Sequence, residues 1–206
     1  SYKIMVGFNR RFSPLIQKLI KSKIFGNTAV EINYRVNFGR YIENNLTNVK
    51  IGGGRLIGSC CHYVDLMAYL ANSDIYEVSA FGLKKKNKIS DNTFSCILKF
   101  INGSIGHLSF TSSGNRSFKP KETISISGNE NIVNIIDFKK MSINKKSFRV
   151  FRHSYGALYA WKEFYKSVNN KTNTKISISD GLKATMVTLG IKKSLENNGA
   201  LQKIIY

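Results

Sequence analysis

Three glycines and a histidine form the most unusual segment of the sequence. Gly52, Gly53 and Gly54 lead into a segment whose apolar residues recur at helical spacing, and His62 lies within it. Glycines at a helix start let a ligand approach the free backbone N–H groups. The imidazole of His62 can move a proton near neutral pH, and Asp65 would share its helix face and orient the ring. The sequence leaves two interpretations open, an acid–base histidine and a structural histidine beside an apolar helix.

A pair of arginines is the second candidate for chemistry. Arg10 and Arg11 follow the apolar segment from Tyr2 to Phe8, which predicts a buried strand, so the two guanidiniums would lie at the end of that strand. Arginine forks bind phosphate and carboxylate groups well. The pair therefore indicates either an anion-binding site or two arginines in surface salt bridges.

Metal and nucleotide chemistry is not predicted. Cys60 and Cys61 adjoin His62, but adjacent cysteines do not readily ligate one tetrahedral ion, and the sequence has no second pair of Cys or His. It also lacks a P-loop, a nucleophile elbow and a dinucleotide-type glycine turn after a strand. We therefore expect no metal site and no complete nucleotide site, and we assign no cofactor-binding residue.

The chain is strongly basic. Its 206 residues include 32 Lys or Arg and 12 Asp or Glu, which gives a formal charge of +20. Such a field attracts nucleic acid, phosphorylated small molecules or lipid headgroups, but scattered lysines also make a merely solvated basic surface. Only Lys84 to Lys88 forms a compact run, and we expect it in a hairpin loop.

Other features narrow the partners and the compartment. No aromatic-and-basic motif or recognition-helix pattern accompanies the charge, so we expect no nucleic acid. No apolar run is long enough to span a membrane, and the first residues do not resemble a signal peptide. Three cysteines make no disulfide framework. We therefore expect a cytoplasmic protein that does not bind membranes.

Strands dominate the middle of the chain. Ala29 to Phe38 alternates apolar and polar residues, which predicts a strand with one buried face. A second alternating segment, Phe94 to Phe100, is followed by Asn102-Gly103 and then Ser104 to Thr111, which predicts a tight hairpin. Further strands are predicted at Ile75 to Leu83, Glu122 to Ser127, Ile132 to Phe138 and Ser147 to Phe151.

Helices are predicted around these strands, at Pro14 to Ser22, Leu56 to Leu70, Tyr155 to Val168 and Asp180 to Leu195. Ser179 is the expected cap of the last helix, with Leu182, Met186, Leu189 and Ile191 facing inward. The resulting fold class is α+β, a large, mostly antiparallel sheet with helices packed on one face.

Several segments together resemble a known family. They are Val6 to Pro14, Ile32 to Asn37, Gly52 to Leu66, Asn102 to Gly106, Lys121-Glu122 and Ile178 to Thr185. In this order they are similar to the C-terminal domain of the Gfo/Idh/MocA oxidoreductases over essentially the whole chain. The segments Gly-Phe-Asn-Arg-Arg-Phe and Gly-Gly-Gly-Arg-Leu-Ile-Gly most resemble the two-part members, in which this C-terminal domain follows a zinc-type alcohol-dehydrogenase module.

The resemblance implies one domain, residues 1–206, of an enzyme that oxidises sugars, sugar nucleotides or cyclitols with NAD or NADP. Residues 1–14 would be the end of a missing N-terminal Rossmann domain, so no cofactor is expected on this chain alone. By position, the resemblance makes His62 the catalytic histidine and Asn9, Arg10 and Lys121 substrate-binding residues. It also implies a homo-oligomer formed through the sheet.

The sequence departs from the family near the histidine. Many members have an aspartate four residues before the histidine, and the two-part members usually have a glutamate at the next position, where this chain has Gly58 and Ser59. His62 therefore lacks the acid that would tune its pKa and relay its proton. We expect the substrate-binding and oligomerisation domain of a dehydrogenase, and the alternative is a non-catalytic binding or scaffolding module derived from the same family.

Overall fold

The computed structural model describes residues 3–39, 48, 51, 53–85, 88–115, 117–151 and 154–206. In chain order the elements are a 3-10 helix at Asn9–Phe12, α1 at Pro14–Ser22, β1 at Glu31–Asn37, α2 at Gly54–Ala71, β2 at Ile75–Lys85, β3 at Lys88–Phe100, β4 at Ile105–Thr111, β5 at Glu122–Gly128, β6 at Asn131–Ile136, β7 at Lys140–Ile143, β8 at Lys146–Arg149, α3 at Ala157–Asn169, α4 at Ile178–Glu196 and β9 at Gln202–Lys203.

The strands form one sheet with β1 at its centre. In the described part of the chain the order is β8-β7-β6-β5-β1-β4-β3-β2-β9. Neighbours pair antiparallel except β1 and β4, which are parallel. The sheet is therefore mostly antiparallel, as the sequence predicts.

Alternation along the strands divides the sheet into a covered and an open face. In β1, Ile32, Tyr34 and Val36 are at most 1% exposed, whereas the residues between them are exposed. The in-phase residues of β3, β4, β5 and β6 are also buried, and they join the helices in one apolar core. The predicted α+β architecture, with helices packed on one face, is confirmed.

The predicted hairpin turn at Asn102-Gly103 is present, and a second hairpin turn joins β5 and β6. Between β3 and β4, Gly103 has φ 86° and the Asn102 side-chain oxygen accepts from the backbone N–H of Ser104 at 3.1 Å. Between β5 and β6, Asn129 and Glu130 have φ 45° and 58°. Positive φ at Asn129 and Glu130 matches the twist of the flanking strands, and in the other turn Gly103 adopts the positive φ that favours glycine.

The last helix begins two residues earlier than predicted. Ser177, not Ser179, caps α4, because its hydroxyl accepts from Asp180 N while Asp180 accepts from Ser177 N at 2.8 Å. This reciprocal pair needs an acid three residues after the cap, and Asp180 meets that spacing only for Ser177. Leu182 and Leu189 were expected inside but are 59% and 48% exposed.

The first segment is not a strand. Residues 3–8 form no ladder with any described strand, and Val6 N donates to Ile176 O as an isolated contact. An apolar run needs a neighbouring strand to become one, and none lies beside it among the described residues. The expected strand at Tyr2 to Phe8 is therefore wrong for its described part, and Tyr2 lies outside the described residues.

Two other predicted features fall partly outside the described residues. The lysine run joins β2 and β3, where Lys85 pairs with Lys88, but Lys86 and Asn87 lie outside the described residues, as does Gly52. Among the helices that the structure describes, none combines the length and the apolar character that crossing a membrane would require.

Candidate active site around His62 and Arg10

His62 lies in the middle of α2. Its ring meets the edge of Phe8, with ring centroids 5.3 Å apart and an interplanar angle of 76°. The side chain is half-buried, and no hydrogen-bond partner for its buried Nδ1 exists among the described residues. An orphaned polar atom of this kind costs stability, so its retention needs an explanation.

The surroundings of His62 disfavour its protonation. Burial, together with the nearby positive charge of Arg10, lowers the pKa of His62 from 6.5 to about 4, while Glu122 opposes the shift. The imidazole is therefore neutral at pH 7. A neutral ring can accept a proton at one nitrogen and donate a hydrogen bond from the other.

Asp65 does not orient His62. Its carboxylate instead binds Arg11, with Arg11 Nε at 2.9 Å from Oδ2 and Nη2 bonded to Oδ1, and Asp180 lies 3.0 Å from the same guanidinium. Burial raises the pKa of Asp65 to about 6, against the opposing effect of Arg11. The expected pairing with His62 is wrong, because the arginine charge attracts the carboxylate more strongly than a neutral ring does.

Arg10 lies at the centre of a buried polar network. Its Nε and Nη2 atoms donate to Glu122 at 3.1 and 2.7 Å, which is a bidentate arrangement, and the Glu122 side chain is 0% exposed. Tyr34 donates its hydroxyl hydrogen to the same carboxylate at 2.5 Å. Glu122 begins β5 and Tyr34 lies on β1, so two adjacent strands fix the position of the guanidinium.

Aromatic rings enclose the guanidinium. The Arg10 Cζ atom lies 4.5 Å from the centroid of the Tyr63 ring and 5.1 Å from that of Tyr155. Burial opposes the charge of Arg10, but the interactions with Tyr34 and Glu122 outweigh it and raise its pKa above the usual value. For Tyr63, by contrast, burial itself raises the pKa, so the hydroxyl stays protonated. Arg10 is thus held as a fixed cation.

One nitrogen of the Arg10 guanidinium, Nη1, makes no hydrogen bond with the described residues. Among the hydrogen bonds of the described residues, Nε and Nη2 are used and none involves Nη1. The side chain is 13% exposed. A guanidinium edge held in place by two strands can therefore still meet an oxygen atom of a ligand.

Asn9 and Lys121 are the other two predicted substrate-binding residues. Asn9 begins the 3-10 helix, not a strand end, and lines an apolar cavity of about 270 Å³ together with Met5, Trp161 and Phe164. The Lys121 ammonium lies 5.0 Å from the ring centroid of Phe38. The structure therefore links His62 to Arg10 through an electrostatic interaction, whereas Asn9 and Lys121 have other neighbours.

The sequence reasoning missed the residues that hold Arg10. Glu122, Tyr34, Tyr63 and Tyr155 were not predicted as site residues. For Glu122 a signal was present, because it is in phase with Ile124 and Ile126, the buried residues of β5. A charge at a core position of a strand requires a buried partner, and Arg10 is that partner.

The described residues do not form a dinucleotide site. That site needs a glycine turn between a strand of a parallel sheet and the following helix. At the start of α2, a Cβ on Gly53 would lie 3.2 Å from the side chain of Ile57, so this turn packs on its own helix. Nor do the described residues contain a group of three or more His, Cys, Asp and Glu side chains that could hold a metal ion. Neither observation identifies residues, in the described part of the chain, that would hold NAD(P).

Solved structures share the fold at low sequence identity. An oxidoreductase domain protein from Kribbella flavida superposes with a TM-score of 0.81 at 18% identity, over 99% of this chain and 66% of that one. Levoglucosan dehydrogenase in complex with NADH and levoglucosan gives 0.79 at 16%, over 97% and 66%. UDP-N-acetylglucosamine 3-dehydrogenase from Acidithiobacillus ferrooxidans gives 0.73 at 14%, over 93% and 61%.

These structures are longer than this chain, which spans 61 to 66% of their length. A comparison with the curated proteins gives no match. A family model described as the GFO/IDH/MocA C-terminal domain matches residues 15–133, which is more than half of the sequence. The match covers β1, the glycine turn, His62 and Glu122, and the chain therefore belongs to the GFO/IDH/MocA C-terminal domain family.

Proposed function

We propose that this chain is the substrate-binding and oligomerisation domain of an NAD(P)-dependent dehydrogenase that acts on a sugar, a sugar nucleotide or a cyclitol. One observation carries the proposal. A neutral, half-buried imidazole lies beside an arginine that two strands hold in place, within a family whose solved relatives of the same fold include dehydrogenases of levoglucosan and of UDP-N-acetylglucosamine. The amino-acid sequence around Arg10 and Gly53 supports a closer similarity of this chain to the two-part members, in which the domain follows a zinc-type alcohol-dehydrogenase module.

His62 takes the role of the proton-transfer group. With its pKa near 4 the ring is neutral at pH 7, so it can accept the proton of a substrate hydroxyl. Arg10 contributes its remaining donor edge, which would fix an oxygen atom or an anionic group of the substrate. Glu122 and Tyr34 are positioning residues, because they act by fixing Arg10. Asn9 and Lys121 would reach the substrate from the periphery.

NAD(P) would be bound by a separate Rossmann domain. The first support is the length of the related structures, which exceed this chain by about a third of their own length. The second is α3, where Leu158, Trp161 and Tyr165 are 62 to 70% exposed. An exposed apolar helix face of this kind is typical of a surface that packs against another domain.

The alternative is a non-catalytic binding or scaffolding module, and a specific observation favours it. Gly58 is four residues before His62 and thus on the same helix face, where an acid would be needed to bind the ring. The buried Nδ1 of His62 has no partner among the described residues. A base with a low pKa and no relay partner is a weak catalyst.

Binding measurements on the isotope-labelled chain test the proposal. We expect a member of a panel of sugars, cyclitols and sugar nucleotides to bind in a calorimetric titration and to shift the imidazole resonances of His62, while those of His107 on the open sheet face stay unchanged. NAD(H) and NADP(H) should not bind. Saturable binding that leaves His62 unshifted would support the scaffolding alternative, and micromolar binding of a dinucleotide would show that the architecture is misread.

A further inference from the structure

A cavity of about 680 Å³ lies between α1, α3 and the segment that precedes α4. Five lysines from these three elements line it: Lys18 and Lys21 from α1, Lys162 and Lys166 from α3, and Lys175 from the segment before α4. We call this cavity the lysine groove. Neither His62 nor Arg10 is among its lining residues, but Arg11, which Asp65 and Asp180 bind, lines it, so the groove adjoins the candidate active site without including its histidine.

The positive charge of the lysine groove is largely uncompensated. Its one acidic lining residue is Glu163, which binds Lys166 at 2.9 Å. None of the described carboxylates forms an ion pair with Lys18, Lys21, Lys162 or Lys175. Like charges that line one cavity repel each other, and a bound anion would relieve that repulsion.

Apolar and aromatic side chains also line the groove. They are Phe12, Tyr69, Tyr159 and Ile176. Its volume falls within the range of small-molecule sites, roughly 300–1,000 Å³. Lysine ammonium groups are compact point charges that bind phosphate, and rings beside them can pack against the apolar part of a ligand. A concave site of this size suits a compact ligand better than a long polymer.

We propose that the lysine groove binds a small oligophosphate anion with three linked phosphates, whose charge exceeds that of the bridging diphosphate of a dinucleotide. The phosphates could be borne by a nucleoside or be free, because four lysines without a carboxylate partner recognise the same chemistry in both. The inference is independent of the dehydrogenase proposal, since it rests on α1, α3 and their lysines and on none of the residues around His62.

Calorimetric titration with inorganic triphosphate and with ATP, at fixed physiological ionic strength, tests the proposal. The groove variant carries Lys18→Gln, Lys21→Gln, Lys162→Gln and Lys175→Gln. A matched control variant carries the same loss of charge at exposed lysines outside the groove, Lys84→Gln, Lys119→Gln, Lys193→Gln and Lys203→Gln. Circular dichroism tests whether both variants are folded. If the groove variant is not folded, the double variant Lys21→Gln/Lys175→Gln takes its place.

We expect the control to keep the wild-type Kd within about twofold and the groove variant to lose about tenfold or more, as for the removal of charged hydrogen-bond donors. If ATP binds more tightly than triphosphate and Tyr159→Leu removes that difference in affinity, the bound phosphates are those of a nucleoside. If the two probes bind with equal affinity, the ligand is a free oligophosphate. Equal losses in both variants would overturn the proposal, because net charge alone would then explain binding. No binding of either probe would also overturn it.

Discussion

His62 is held neutral by its environment, which makes its titration a direct probe of the site. We predict that the imidazole titrates near pH 4 in the folded chain rather than near 6.5, because burial and the charge of Arg10 both disfavour the protonated ring. The measurement is the pH dependence of the His62 ring resonances by NMR. A value near 6.5 would show that the ring is solvated and remote from Arg10.

The same shift predicts how stability changes with pH. Between pH 6.5 and 4 the unfolded chain binds a proton on His62 that the folded chain does not, so stability present above pH 6.5 is lost as the pH falls to 4. The raised pKa of Asp65, about 6, acts in the opposite direction. Urea unfolding of His62→Asn should therefore show a smaller loss of stability from pH 7 to pH 4.5 than the wild type.

Glu122 compensates the buried charge of Arg10. Replacing it by glutamine leaves the guanidinium enclosed by Tyr63 and Tyr155 without a counter-ion. We expect Glu122→Gln to lower the free energy of unfolding by about 3–5 kcal/mol, the usual cost of breaking a buried ion pair. Urea denaturation measures this loss.

Two comparison variants sharpen that test. Lys166→Met removes one partner of the exposed pair with Glu163, and it should cost far less because solvent screens that pair. The double variant Arg10→Met/Glu122→Gln should recover part of the loss, since the unpaired charge is gone. If Glu122→Gln cost no more than Lys166→Met, the buried network would not be formed as described.

These residues show what a single sequence can and cannot reveal about the site. His62 and Arg10 were found from residue type and from the resemblance, but their neighbours required the fold. Glu122 and Arg10 are 112 positions apart in the sequence, so no local sequence pattern includes both residues. The phase of Glu122 with Ile124 predicts a buried charge, but it does not identify the partner.

The cap of α4 provides a test at a single secondary-structure boundary. Ser177→Ala removes the hydroxyl that accepts from Asp180 N, and we expect a loss of about 1 kcal/mol in the free energy of unfolding. Ser179 lies inside the helix and is exposed, so Ser179→Ala is the matched control and should be nearly neutral. Thermal and urea unfolding compare the two. A larger effect at Ser179 would mean that the helix starts where the sequence alone suggested.

Element prediction succeeded where a pattern had a single interpretation. β1 alternates without interruption and α1 follows a serine and a proline, so both were predicted nearly as observed. β9 was missed because two residues are too few to show a period, whereas β7 was missed although β8, with the same length of four residues, was predicted at Ser147 to Phe151. Leu182 and Leu189 were misplaced because Ala184, Val187 and Thr188, which are smaller, form the inward face of α4 and let it approach β2.

The open face of the sheet determines how whole molecules would associate. Serine, threonine and asparagine side chains alternate there with exposed Phe81, Ile97, Ile105, Ile132 and Ile136. This face is largely polar, because many outward positions of β3, β4 and β5 are hydroxyl residues. Five exposed apolar side chains on one face still favour burial against a second copy.

We therefore predict a homo-oligomer formed through this face. Light scattering at high protein concentration should show a dimer or a larger assembly, and Ile97→Lys should shift it toward the monomer by placing a charge in the interface. Leu189→Lys, on the helical side, is the control and should leave the mass unchanged. A wild-type chain that stays strictly monomeric would contradict the prediction.

The central claim is that His62 moves a proton during substrate oxidation, and turnover of the enzyme assembled with its cofactor-binding domain tests it most directly. We predict that His62→Ala lowers kcat by about 10²-fold, the low end of the range for a positioned acid–base group, because Gly58 and Ser59 supply no relay. His107→Ala, on the open sheet face, should leave kcat unchanged. Wild-type turnover by His62→Ala would contradict the account and favour the scaffolding module.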